Sequence, residues 1–207
     1  MSGDGRPAGD RPRRLGLLGG TFNPPHVGHL ICAQEALEQL GLDRVELVPV
    51  ALPPHKPPAS GDPGPEVRLE LCRAAVAGDD RLGVCDAEVV RGGPSFTVDT
   101  LRGLDGSDEL TFIVGGDMAL SLPSWREPLE VMRLARLGIA ERGEARRDRI
   151  EHALAPLGAA GRFDFFTMPR IDISSTDVRT RRAAGRRVRH LVPDAVAGLI
   201  EERGLYA

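Results

Sequence analysis

Short aliphatic runs alternate with stretches of helical periodicity along almost the whole chain, and that alternation leaves few folds open. Arg14–Leu18, Val45–Val50, Leu82–Val90, Glu109–Val114, Leu137–Ala140 and Phe163–Met168 read as strands. The first helix is His26–Leu40, where Val27, Leu30, Ala33, Leu37 and Leu40 make one apolar stripe and Gly41 ends it. Others follow at Glu66–Ala77, after the glycine turn of "RGGPSFTVDTL", after "GGD", near Pro128–Leu134, and at Asp148–Leu157, Ser175–Ala184 and Asp194–Arg203. Strands separated by helices pair in parallel through right-handed crossovers. The expected fold is therefore α/β, a doubly wound parallel sheet whose ligands bind beyond the carboxyl ends of the strands.

Length and composition narrow this further. The 207 residues suit one domain, expected over residues 14–207 after a disordered arm at 1–13. With 41% hydrophobic but only 4% aromatic residues the core must be aliphatic. A net charge of -3 argues against a nucleic-acid partner. The basic run from Arg179 to His190 has no interleaved aromatics for base stacking. Cys32, Cys72 and Cys85 form no disulfide framework, which suits a reducing, cytoplasmic setting. No apolar run is long enough for a membrane span. No heptad or apolar surface face stands out, so a homo-oligomer is left open.

Three loops at strand ends carry the chemistry: "GGTFNPPHVGHL" from Gly19, "GGD" from Gly115 and "IDISSTDVR" ending at Arg179. In the first, Gly19 and Gly20 permit close backbone approach, and a helix opening near His26 aims free amides at an anion. His26 and His29 share a face of its first turn, and Gly28 between them leaves room for a flat base. Neither a lysine-bearing phosphate loop nor a dinucleotide fingerprint is present. Zinc on His26, His29 and Cys32 lacks a fourth ligand, so no protein metal site is expected. The plainer alternative, two histidines that merely cap a helix, accounts for neither the glycines nor the prolines. A Pro-rich stretch, "ALPPHKPPASGDPGP", is long enough to suggest a functional loop.

"GGTFNPPHVGHL" and "ISSTDVR" resemble the two signatures of the adenylyltransferases that share a Rossmann-like nucleotide-binding core with class I aminoacyl-tRNA synthetases. "PPHKPP", "SFTVDTL", "GGDMALSLPSW" and "LVPDAVAGLIEERGLY" are similar to one branch, the bacterial nicotinate mononucleotide adenylyltransferase family, and the likeness runs from about Leu15 to Tyr206. Asn23 stands where that family more often has Asp.

The resemblance implies adenylyl transfer from ATP to nicotinate mononucleotide, giving deamido-NAD and pyrophosphate, a step of NAD biosynthesis. It implies Mg²⁺ held mainly by ATP phosphates and water. The implied catalytic residues are His26, His29 and Arg179. Gly19, Gly20, Thr21, Phe22, Gly28, Gly115, Asp117, Ser174, Ser175 and Thr176 would bind ATP. Asn23, Lys56, Phe96, Thr97 and Trp125 would bind the mononucleotide, Trp125 stacking on its pyridine ring. The rival readings are another small-molecule adenylyltransferase, such as the pantetheine-phosphate enzyme, and a catalytically silent nucleotide-binding module.

Overall fold

The computed structural model describes residues 11–54, 57–104, 106, 108–141 and 147–207. Six parallel strands run β1 (Arg14–Gly20), β2 (Arg44–Pro49), β3 (Leu82–Val84), β4 (Glu109–Gly115), β5 (Arg136–Glu141) and β6 (Phe163–Thr167). They lie side by side in the order β3-β2-β1-β4-β5-β6. The chain thus winds outward from β1 one way, then crosses back to continue from β4 the other way. The crevice between the ends of β1 and β4 is where such a sheet binds ligand.

Alternation along the strands divides the core. On one face Leu15, Leu17, Phe112, Val114, Leu137 and Ile139 pack under α4 (Thr97–Gly103), α5 (Gly116–Ser121), α6 (Pro128–Leu134) and α7 (Arg147–Leu154). On the other, Leu18, Leu47, Ile113 and Ala140 meet Ala33, Ala36 and Leu37 of α1 (Val27–Gln39) and Cys72 and Val76 of α2 (Pro65–Val76). Outside α2 lies a third cluster, in which Val178 of α8 (Ser175–Ala183) and Val196 and Ile200 of α9 (Asp194–Glu202) pack on Leu71. Gly41 sits just past the end of α1 with φ +61, the left-handed conformation that lets a helix stop and turn into the next strand.

One expected strand is shorter than its apolar run. Only Leu82–Val84 joins the sheet, against Val45–Leu47 of β2, and Ala87–Arg91 is a helix, α3. Val90 is 77% exposed, so the run Val89–Val90 never enters the core. The helix instead buries Glu88, which accepts a hydrogen bond from Thr100 Oγ1 at 2.6 Å. Residues 1–10 of the expected arm lie outside the described residues. Arg11 and Arg13 are ion-paired to Asp43 and Asp108.

Candidate active site

The turn from β1 to α1 has its carbonyls tied back. Gly20 O accepts from Val50 N (3.0 Å), Thr21 O from Arg68 Nη1 (2.9 Å), Asn23 O from Arg179 Nη1 (2.8 Å) and Pro24 O from the Ser175 hydroxyl (2.8 Å). Phe22 holds a left-handed backbone, φ +48, with its ring buried, a conformation that costs roughly 1–3 kcal/mol for a bulky residue and persists where its surroundings impose it. Here the surroundings are Gly20, whose missing Cβ would stand 2.9 Å from the Phe22 ring, and His29, which meets that ring edge-on at 4.9 Å. The space beside Gly19 is likewise filled, by the Phe112 ring. Both glycines therefore make room for phenylalanines of the protein itself, where the sequence suggested room for ligand. Asn23 is 2% exposed, and both polar atoms of its amide are buried without a hydrogen-bond partner among the described residues.

His26 is the N-cap of α1, and its backbone N–H donates to His29 Nδ1 at 3.1 Å. An accepting Nδ1 carries no proton, so the neutral His29 ring holds its proton on Nε2. The two rings stack with centroids 3.6 Å apart. Gly28 makes this stack possible, since a Cβ there would press on the His26 ring at 3.1 Å. Burial pushes the His26 imidazole down to about 4, against an opposing pull from the Asp177 carboxylate. Burial and the adjacent His26 push His29 down to about 3. Both rings are therefore neutral donors at pH 7.

These shifts have a consequence for stability. Each ring binds protons less readily folded than unfolded, where its pKa is 6.5. Stability from the pair is thus fully present above about pH 6.5 and drains away as pH falls toward 4. The melting temperature is expected to fall between pH 7 and 4.5, and less steeply in a His26→Gln/His29→Asn variant. Equal slopes in the two proteins would show that the pair is not what titrates.

Two cavities flank the pair. The larger, about 500 Å³, is lined by His26, Gly28, His29, Gly115, Asp117, Ser174 and Ser175, with Ile150, Met168, Ile171 and Ile173 as apolar walls. The smaller, about 300 Å³, is lined by Thr21, Phe22, Asn23, His29, Ser175, Thr176 and Arg179 and by Pro53, Pro57, Pro58 and Asp62 of the Pro-rich loop. His29 and Ser175 line both. Arg179 donates to Thr176 Oγ1 (3.2 Å) as well as to Asn23 O. Ser174 caps α8 reciprocally with Asp177, the Ser174 backbone N–H donating to Asp177 Oδ2 at 2.8 Å and the Asp177 N–H to Ser174 Oγ at 3.1 Å.

Gly19, Gly20, Phe96, Thr97 and Trp125 line neither cavity. Trp125 donates its indole N–H to Ser121 Oγ (3.0 Å) and meets Phe112 edge-on at 6.1 Å. Phe96 lies under the Arg126 guanidinium at 4.8 Å. Lys56 lies outside the described residues. Sequence reasoning missed Arg68, which is 2% exposed and bonds Val50 O (2.6 Å), Ala51 O (3.0 Å) and Asp62 Oδ1 (3.1 Å) besides Thr21 O. The available signal was a charge at i, i+3, i+4, i+7 spacing with Leu71, Cys72 and Ala75, on the apolar face of α2.

Residues 17–181 match the family described as cytidylyltransferase-like. The "probable nicotinate-nucleotide adenylyltransferase" of Shouchella clausii is 41% identical over 199 residues, covering 94% of this chain and 97% of that relative. The protein of the same name from Exiguobacterium sibiricum is 41% identical over 197 residues, covering 94% and 99%. The chain belongs to the nicotinate-nucleotide adenylyltransferase family. Among solved structures, the Plasmodium falciparum nicotinic acid mononucleotide adenylyltransferase shares the fold, with TM-scores of 0.69 in its complex with APC and 0.71 in its complex with NaAD. Each is 14% identical and covers 94% of this chain and 97% of that one. The family match spans β1 to α8 and so takes in both cavities and Arg179. Among the described residues no helix of this nicotinate-nucleotide adenylyltransferase-family chain is long and apolar enough to cross a membrane.

Proposed function

We propose that the chain transfers the adenylyl group of ATP to nicotinate mononucleotide, releasing pyrophosphate and deamido-NAD. The observation that carries this reading is the wall of His29 and Ser175 shared by the two cavities. With its base in the larger cavity, ATP would pass its triphosphate across this wall toward Thr176 and Arg179 of the smaller, where the mononucleotide phosphate would meet the α-phosphorus beside His29.

The chemistry asks little of the protein beyond placement. The attacking phosphate oxygen is already anionic and needs no general base, so positioning and charge stabilisation supply the rate. The neutral His29 offers its Nε2–H to the α-phosphate and bridging oxygen, and that donor strengthens as charge develops. His26 would contact the triphosphate beside it. Next to Ser174, the residues Ser175 and Thr176 offer the backbone amides of the start of α8, and Thr176 its hydroxyl proton, to the β- and γ-phosphates, with Arg179 as the charged clamp. Gly115 and Asp117, at the end of β4, suit the ribose. The buried, unpartnered amide of Asn23 beside the smaller cavity supports its assignment to the mononucleotide.

Mg²⁺ would be carried on the triphosphate with its own water, the usual habit of an ion that dehydrates reluctantly. Asp117, exposed on the wall of the larger cavity, could hold a water of that ion. When bound, the ion would offset the polyphosphate charge. A cytoplasmic setting and the absence of a nucleic-acid partner stay part of this reading.

The test is pyrophosphate release from ATP and Mg²⁺ with a panel of phosphate acceptors. Nicotinate mononucleotide is expected to give it. Release with phosphopantetheine alone would move the chain to the rival enzyme class, and an absence of release with every acceptor would favour a silent binding module.

Trp125 is the second check. We expect Trp125→Ala to raise KM for the mononucleotide about tenfold, the worth of one aromatic contact, with KM for ATP nearly unchanged. Equal rises for both substrates would assign Trp125 to the core around Phe112 and remove it from the substrate wall.

A further inference from the structure

Glu141 ends β5, beside Gly115 of β4 and Thr167 of β6, reading across from Ala140↔Gly115 and Glu141↔Thr167. By alternation its side chain leaves the sheet on the face of Leu137 and Ile139. A carboxylate just after the apolar run Leu137–Ala140, only 6% exposed, needs partners. One is present: Arg147 donates to Glu141 Oε2 at 2.6 Å while its guanidinium rests over the Phe165 ring at 4.7 Å. The other oxygen, Oε1, is buried and has no hydrogen-bond partner among the described residues. Glu141 also lines the larger cavity, together with the apolar Ile171 and Ile173.

An acceptor in that state is costly unless a ligand supplies the donor. The purines differ at this point: adenine presents an amine at its 6-position, whereas hypoxanthine and guanine present a carbonyl oxygen there. We infer that Glu141 determines base specificity, its free carboxylate oxygen accepting a hydrogen bond from the exocyclic amine of adenine. The inference rests on the larger cavity holding ATP, as proposed above. Arg147 keeps the carboxylate oriented, so that a carbonyl at the same position faces an acceptor and leaves the buried oxygen unpaired. A site built on a required hydrogen bond rejects the analogue that lacks it far better than an apolar slot does.

The experiment compares ATP with ITP in wild-type protein and in Glu141→Gln. The wild type is expected to favour ATP by at least about 100-fold in kcat/KM, the worth of one charge-assisted bond plus the penalty of an orphaned oxygen. Glu141→Gln keeps an oxygen for Arg147 and turns an amine toward the base, so the preference is expected to fall below about tenfold or to invert. Because the ratio is taken within one preparation, loss of folded protein cancels. If Glu141→Gln yields no active protein, Glu141→Asp, whose carboxylate falls one methylene short, is expected to lower the ratio as well. A ratio unchanged within about twofold in the variant, or a wild type indifferent between ATP and ITP, overturns the inference. Calorimetric titration of both nucleotides separates it from the reading it rests on. A wild type that binds ATP over ITP, with the variant losing that preference, upholds Glu141 even if no acceptor is adenylylated. A wild type that binds neither nucleotide sinks both.

Discussion

Replacing His29 by alanine is expected to lower kcat by at least about 100-fold while KM for ATP changes far less, the pattern of a donor used chiefly in the transition state. The geometry says why this one side chain should matter so much. It lines both cavities, its Nδ1 is committed to the His26 N–H, and its remaining proton sits on Nε2. Deleting the ring also frees the His26 N–H, an N-cap loss worth about 1 kcal/mol. His29→Asn separates the two effects, because its amide oxygen falls near the position of Nδ1 but nothing replaces Nε2–H. We expect His29→Asn to recover most of the melting temperature and little of the rate. Recovery of both would reduce His29 to a cap, and near-normal turnover in His29→Ala would remove it from the mechanism.

Most of the fold was legible because its signals are local and repeated. The stripe of Val27, Leu30, Ala33 and Leu37 with Gly41 behind it marks α1 to within a residue or two, and the crossover rule turns such helices into a parallel sheet. Leu82–Val90 misled because an apolar run does not reveal that only the first three residues have a neighbouring strand to pair with. The β1–α1 turn was recognisable as a site from its glycines and histidines, yet the reason for each glycine was not. Gly20 and Gly28 accommodate the rings of Phe22 and His26, contacts that exist only after the turn has folded. The charge state of the histidine pair was hidden for the same reason, since burial is a property of the assembled site. Trp125 and Phe96 carried a motif but not a position, and they fall with the core around Phe112.

Arg68 is where sequence and site meet most directly, and its removal should have the largest effect on stability. Its guanidinium is 2% exposed and Asp62 beside it 9%, so neither charge is screened by solvent. One side chain satisfies Thr21 O of the site turn, Val50 O and Ala51 O at the end of β2, and the Asp62 carboxylate of the Pro-rich loop. Arg68→Ala leaves an uncompensated buried carboxylate, which alone costs about 3–5 kcal/mol. For a chain of this length each kcal/mol lowers the melting temperature by about 2–4 °C, so a fall of roughly 10 °C is expected. Arg68→Lys restores a charge for Asp62 but cannot fork to three carbonyls, and should fall between wild type and alanine. The double variant Arg68→Met/Asp62→Asn removes both charges together and should be more stable than Arg68→Ala, although it has lost one more native group. If it is instead less stable, the carbonyl bonds rather than the ion pair hold this corner. The β1–α1 turn would then depend on Arg68 for its backbone alone.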